Sequence, residues 1–145
     1  MRIRPLTAFV FATFVAATAA MAADIPGAVL DPYIQVQTAL AADSLSGAQT
    51  AAKALSAQAG KLGPALKAVL APADKLAGAA DIKAARAAFG ELSDAMITMA
   101  GAGTGGKGVR VAYCPMVKKS WLQKDGEIAN PYYGSQMLRC GSFTK

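Results

Sequence analysis

From Leu30 to Ala100 apolar residues return every three or four positions, with alanine and leucine dominant and few β-branched runs, so the pattern predicts helices. Asp31-Pro32 has the form of an N-cap followed by proline at the first helical position, and Tyr33, Val36, Leu40 and Ala41 then share a face as far as about Asp43. Ser46-Gly47-Ala48-Gln49 has the spacing of a capping box for a second helix. Its stripe of Ala48, Ala51, Ala52, Leu55 and Ala59 is thin enough for close packing, and Gly60 is its expected stop. Pro64 opens a third helix with Leu66, Val69 and Leu70 inward. Pro72 predicts a break near Ala71 and a short resumption to Leu76 or Ala77, because its ring removes a hydrogen bond and crowds the preceding turn. In the fourth helix Asp81 caps, and Ile82, Ala85, Phe89, Leu92, Met96 and Met99 or Ala100 repeat until Gly101. Met96 and Met99 are in phase with that stripe and read as packing.

Four helices with short connections predict an antiparallel, up-and-down four-helix bundle over residues 30–100. The pattern then changes. Gly101-Ala-Gly-Thr-Gly-Gly-Lys-Gly108 imitates a phosphate-binding loop, but a helix precedes it, extended sequence follows, and Gly108 stands where a magnesium-holding hydroxyl is needed. It reads as a flexible linker over residues 101–108. Beyond it lies a small irregular or β module, residues 109–145. Val109 to Tyr113 suggests a short strand leading into Cys114-Pro115-Met116. Lys118 and Lys119 read as solvated turn residues, and Trp121-Leu122 as the anchor of the module on the helices. Asn130-Pro131-Tyr132-Tyr133-Gly134 has turn chemistry, and Ser135 to Cys140 is a helical turn or a strand; only as a helical turn do Met137 and Cys140 share a face.

The N-terminus adds an address. Arg2 and Arg4, the apolar run Leu6 to Ala17 and Ala20-Met21-Ala22 form a secretory signal peptide with cleavage expected near Ala22. The run is too short to span a bilayer, and no second one follows, so no membrane insertion is expected after cleavage of residues 1–22. Residues 23–145 are then a single domain in the periplasm. Cleavage lowers Lys plus Arg from 15 to 13 against 9 acids. The lysines that remain are scattered, which is a solvated surface and excludes a nucleic-acid stripe.

The chemistry sits in the last third of the chain. Cys114, Met116, Met137 and Cys140 are two thiols and two thioethers, soft donors of the kind that select Cu(I), and Ag(I) would suit them equally. With no histidine anywhere, zinc lacks its usual nitrogen and sulfur cage, and Cys114 lacks a base, so neither a zinc site nor an enzyme is expected. The alternative is a Cys114–Cys140 disulfide, since two cysteines in an exported chain are the makings of one bridge. It would close a loop of about 27 residues and stabilise by roughly 3 kcal/mol.

Tyr113-Cys-Pro-Met116, Trp121-Leu-Gln123, Asn130-Pro-Tyr-Tyr-Gly134 and Met137-Leu-Arg-Cys-Gly141 together resemble the bacterial domain of unknown function 3347. Ala39-Leu-Ala-Ala-Asp43 and Arg86-Ala-Ala-Phe89 with Leu92-Ser93 extend the resemblance into the helices. It implies an exported protein tied to heavy-metal handling, because members stand alone or are fused to periplasmic adaptors of copper/silver efflux systems. Where the related metal-binding segment of such adaptors carries histidine after Cys-Pro-Met, this chain has Val117. Two functions follow as expectations. One is a periplasmic Cu(I)- or Ag(I)-binding accessory protein of an efflux adaptor. The other is an envelope interaction module stapled by Cys114 and Cys140, with Trp121, Tyr132 and Tyr133 as its contact surface.

Overall fold

A computed structural model describes residues 24–101 and 105–144. The expected signal peptide, with its cleavage near Ala22, lies outside the described residues. Over the described residues the fold is mainly helical, with four α-helices, α1 (Gly27–Ala41), α2 (Leu45–Lys61), α3 (Lys67–Ala77) and α4 (Ile82–Ala100). A small C-terminal sheet follows, made of β1 (Val109–Cys114), β2 (Lys119–Lys124) and β3 (Ser142–Phe143). α1 packs on α2, α2 on α3 and α3 on α4. The sheet is antiparallel in the order β2-β1-β3, and β2 lies against α4 and α1.

The helices begin where backbone donors find acceptors, and two starts differ from the sequence reading. α1 starts a turn before Asp31, because the Pro26 carbonyl accepts the N–H groups of Val29 and Leu30 at 2.8 and 3.0 Å. Pro32 is therefore inside the helix. α2 is capped by Ser44 and not Ser46: the Ser44 hydroxyl accepts the Gly47 N–H at 3.2 Å, and Gly60 falls inside the helix. The small-residue stripe from Ala48 to Ala59 is buried throughout. Asp81 caps α4 as expected, accepting the Ala84 N–H at 2.7 Å, and Gly101 ends it with φ +63.

The break expected at Pro72 does not occur. A short 3-10 turn at Pro64–Leu66 leads into α3, which runs unbroken through Pro72 to Ala77. Pro32 and Pro72 are each the sixth residue of their helix, so each deprives one carbonyl of its donor, on Ala28 and Ala68 respectively. Both of those residues are exposed, and water can replace the lost N–H. The cost is confined to one turn.

A file of aromatic rings joins the helices to the C-terminal segment. Tyr33 stacks on Phe89, Phe89 tilts against Tyr132, and Tyr132 meets Trp121 edge-on, with centroids 5.4, 5.5 and 5.9 Å apart. The buried Tyr33 hydroxyl bonds Ser93 at 2.7 Å and accepts the Leu122 N–H at 3.0 Å, which ties α1, α4 and β2 at one point. Burial pushes this phenol far above its ordinary value, so it stays a neutral hydrogen-bonding group. Met96 is fully buried in the same core, as its phase predicted. At the end of the glycine segment one residue is fixed against the core. Gly105 is buried, its carbonyl accepts the Ile25 N–H at 3.2 Å, and a Cβ there would press on Leu122 and Ile25.

Candidate functional site

The two cysteines, 26 positions apart, are brought together by two turns. β1 and β2 pair from Val109 with Lys124 to Cys114 with Lys119, which leaves Pro115 to Lys118 as the hairpin turn. Lys118 takes the left-handed conformation, φ +53, that reverses the chain, and Lys119 opens β2 and reaches Asp94 of α4 at 2.7 Å. The second turn is Gly134–Gln136, a 3-10 turn, continued by a bond from the Cys140 N–H to the Met137 carbonyl at 2.9 Å. The Cys114 and Cys140 sulfurs lie 3.1 Å apart, and both residues are thiols in the structure.

The pair is asymmetric. Cys114 is fully buried at the end of β1, whereas Cys140 is half-exposed on its loop. Burial by itself pushes the Cys114 thiol up, but hydrogen bonds from Cys140, from the Val117 and Met116 N–H groups and from Asn130 outweigh it and hold the thiol below its ordinary value. Cys140 is pushed up, first by its bond to Cys114, then by burial and by the negative charge on its neighbour.

Asn130 organises the second turn and was visible in the sequence only as a turn residue. It is fully buried. Its side-chain amide donates to the Cys140 carbonyl at 2.7 Å, its Oδ1 accepts the Tyr132 N–H at 2.8 Å, and its own N–H donates to the Leu138 carbonyl at 2.8 Å. A second device, Asp43 with Arg86, docks this loop on the helices. Arg86 pairs with Asp43 at 2.6 Å and donates to the Leu40 and Pro131 carbonyls at 3.1 and 2.9 Å, while Asp43 also accepts the Ser135 N–H at 3.0 Å. Hydrogen bonds from Ser135, and then the Arg86 guanidinium, lower the Asp43 carboxyl to about 2. Gly134, at φ +57, is the residue that lets the loop come this close, since a Cβ there would collide with both side chains. Asp43 and Arg86 stand in the two helical stretches that carried the family resemblance.

The methionines differ from the cysteines in surroundings. Met116 is 62% exposed in the hairpin turn and Met137 36% exposed in the second turn, while Tyr113 beside Cys114 is also exposed. Among the described residues no group of three or more histidine, cysteine, aspartate or glutamate side chains could hold a metal ion. The aromatic contact surface takes a different form from the expected one. Trp121 is fully buried and Tyr132 nearly so, both in the ring file, and of the three only Tyr133 keeps partial exposure. Trp121 donates its indole N–H to the buried Gln123 at 3.0 Å, consistent with an anchor.

Among the described residues, four helices supporting a small antiparallel sheet and a loop that brings two cysteines together describe a small, mainly helical protein. Residues 29–106, more than half of the chain, match the family described as protein of unknown function (DUF3347), and the chain belongs to that family. The matched span ends before β1, so the four sulfur residues lie beyond it. No curated protein and no solved structure matches the chain. Among the described residues no helix is long and apolar enough to cross a membrane.

Proposed function

We propose that this is a periplasmic soft-metal accessory protein that binds Cu(I) or Ag(I) through Cys114 and Cys140 with thioether help from Met116 and Met137, and passes the ion to an efflux adaptor. The reading includes export by the N-terminal signal, an up-and-down arrangement of the four helices as a rigid support, and no catalytic activity. The observation that carries it is the convergence of two distant cysteines at 3.1 Å between turns whose methionines face solvent. Soft monovalent ions favour thiolate and thioether ligands, and a methionine kept out of the core is available to such an ion. At metal–sulfur bonds of about 2.3 Å the two sulfurs must part by somewhat under 1 Å, which the half-exposed Cys140 loop can supply. N–H groups at the Cys114 sulfur would stabilise its charge when the proton leaves.

The test is titration of the reduced chain with Cu(I) against a competing chelator. Cys114→Ser and Cys140→Ser are expected to abolish binding, and Met116→Leu and Met137→Leu to weaken it. Unchanged Cu(I) affinity in both cysteine variants would sink the site. The same 3.1 Å separation favours a second reading, a bridge that staples an interaction module. It predicts no titratable thiol in the freshly isolated protein, and partner capture in a pull-down that is lost on reduction.

A further inference from the structure

We propose that Cys114 and Cys140 are an ordered thiol–disulfide exchange pair, in which Cys140 reacts first with a low-molecular-weight disulfide and Cys114 then resolves the product into an internal bridge. The inference goes beyond metal binding and stands without it, although it concerns the same two sulfurs.

The order follows from access. Cys114 is fully buried beneath the hairpin turn, whereas Cys140 is half-exposed on the second loop, so an external disulfide meets Cys140. In the first step Cys140, chosen by access and not by acidity since its thiol is held above the ordinary value, gives up its proton and attacks one sulfur of a disulfide RSSR. The bond from Cys140 to that sulfur forms, the RS–SR bond breaks, and RS⁻ leaves with the proton that Cys140 gave up. In the second step Cys114, 3.1 Å away, attacks the Cys140 sulfur; the internal bond forms and a second RS⁻ departs, taking the Cys114 proton. The two cysteines lose two electrons and RSSR gains them as two RSH. Contact between the sulfurs gives the second step the advantage of an intramolecular reaction, and an approach of about 1 Å completes a bond of normal length.

The loops are built for such an approach. Asn130 fixes the Cys140 carbonyl at 2.7 Å, and the Met137 carbonyl fixes the Cys140 N–H at 2.9 Å, so the residue is held at both backbone groups with its sulfur against that of Cys114. Gly141 follows at φ +133, packed where a Cβ would meet Trp121 and the Tyr113 carbonyl at 2.9 Å, which keeps the next residue close to β1. Reversal uses the same path: an external thiolate attacks the accessible Cys140 sulfur and expels Cys114 as the leaving thiolate, received by the Met116 and Val117 N–H groups. Oxidation would withdraw both thiols from any metal.

The experiment uses the full reduced chain, metal-free, with oxidised glutathione as the probe, and reads intact mass with time. The wild type is expected to lose two hydrogens with at most a transient glutathione adduct. Cys114→Ser should accumulate one stable adduct on Cys140. Cys140→Ser should be modified at Cys114 at least about tenfold more slowly while folded, and at the ordinary rate in urea. A stable adduct on the wild type, or equal rates for the two folded variants, overturns the proposal. Because no metal is present, Cu(I) binding by a chain that fails this test would leave the metal reading standing, and a chain that passes but takes up no Cu(I) would remove that reading alone.

Discussion

Replacing Asn130 by alanine tests whether one buried amide sets the sulfur site. The change removes the donor to the Cys140 carbonyl and the acceptor of the Tyr132 N–H. Tyr132 is buried, so its N–H is left without a partner at a cost of about 1–3 kcal/mol. Cys140 is half-exposed, and water can meet its carbonyl, which limits that loss to about 1 kcal/mol. A total of about 2–4 kcal/mol is expected. Urea unfolding of the reduced chain followed by the fluorescence of Trp121, the only tryptophan, measures it. Asn130→Asp separates positioning from packing. It retains an acceptor for Tyr132 but places a carboxylate near the Cys114 sulfur, which opposes the thiolate and must raise the thiol pKa. Thiolate absorbance against pH should move to higher pH in this variant. A loss below about 1 kcal/mol for alanine, together with an unmoved titration for aspartate, would refute the role assigned to Asn130.

Three further outcomes are expected. Gly141→Ala places a Cβ 2.9 Å from Trp121 and the Tyr113 carbonyl at φ +133, and should destabilise by at least about 2 kcal/mol in urea unfolding. Tyr33→Phe leaves the buried Leu122 N–H without an acceptor and should cost about 2–3 kcal/mol, whereas Ser93→Ala, which leaves that bond intact, should cost about 1 kcal/mol. Asp43 has its carboxyl lowered from 3.8 to about 2, so its charged contacts stabilise the fold above the unfolded value and are lost as pH falls through the folded one. The stability gap between wild type and Asp43→Asn should therefore be constant near neutral pH and close between pH 3.8 and about 2.

The periodic apolar stripes were legible because each repeat was long enough to fix a face: the residues read as inward on α2 and Ala85, Phe89, Leu92 and Met96 on α4 are all buried. Helix ends were less so. Ser44 and Ser46 are both acceptable caps by type, and only the turn after Ala41 decides for Ser44. Pro26 and Pro32 are both acceptable starts, and burial of Val29 and Leu30 draws the helix back to the earlier one. Pro72 was read from its local penalty, while buried Val69, Ala73 and Leu76 carry the helix across it. At the site, residue types pointed to the four sulfurs, but the sequence carried no sign that Cys114 would be buried and Cys140 left half-open. The contacts of Asn130 and the pairing of Asp43 with Arg86 depend on chain reversals that no local pattern encodes.

The file of rings from Tyr33 to Trp121 has a practical consequence for anyone wishing to move the sulfur loops into another protein. Half of that file belongs to α1 and α4, inside the family-matched span, and half to the segment beyond it. A fragment cut after residue 106 would leave Phe89 and the Tyr33 hydroxyl facing water, and the excised hairpin and loop would lose the floor on which Tyr132 and Trp121 rest. The sulfurs are transplantable only with their helical footing.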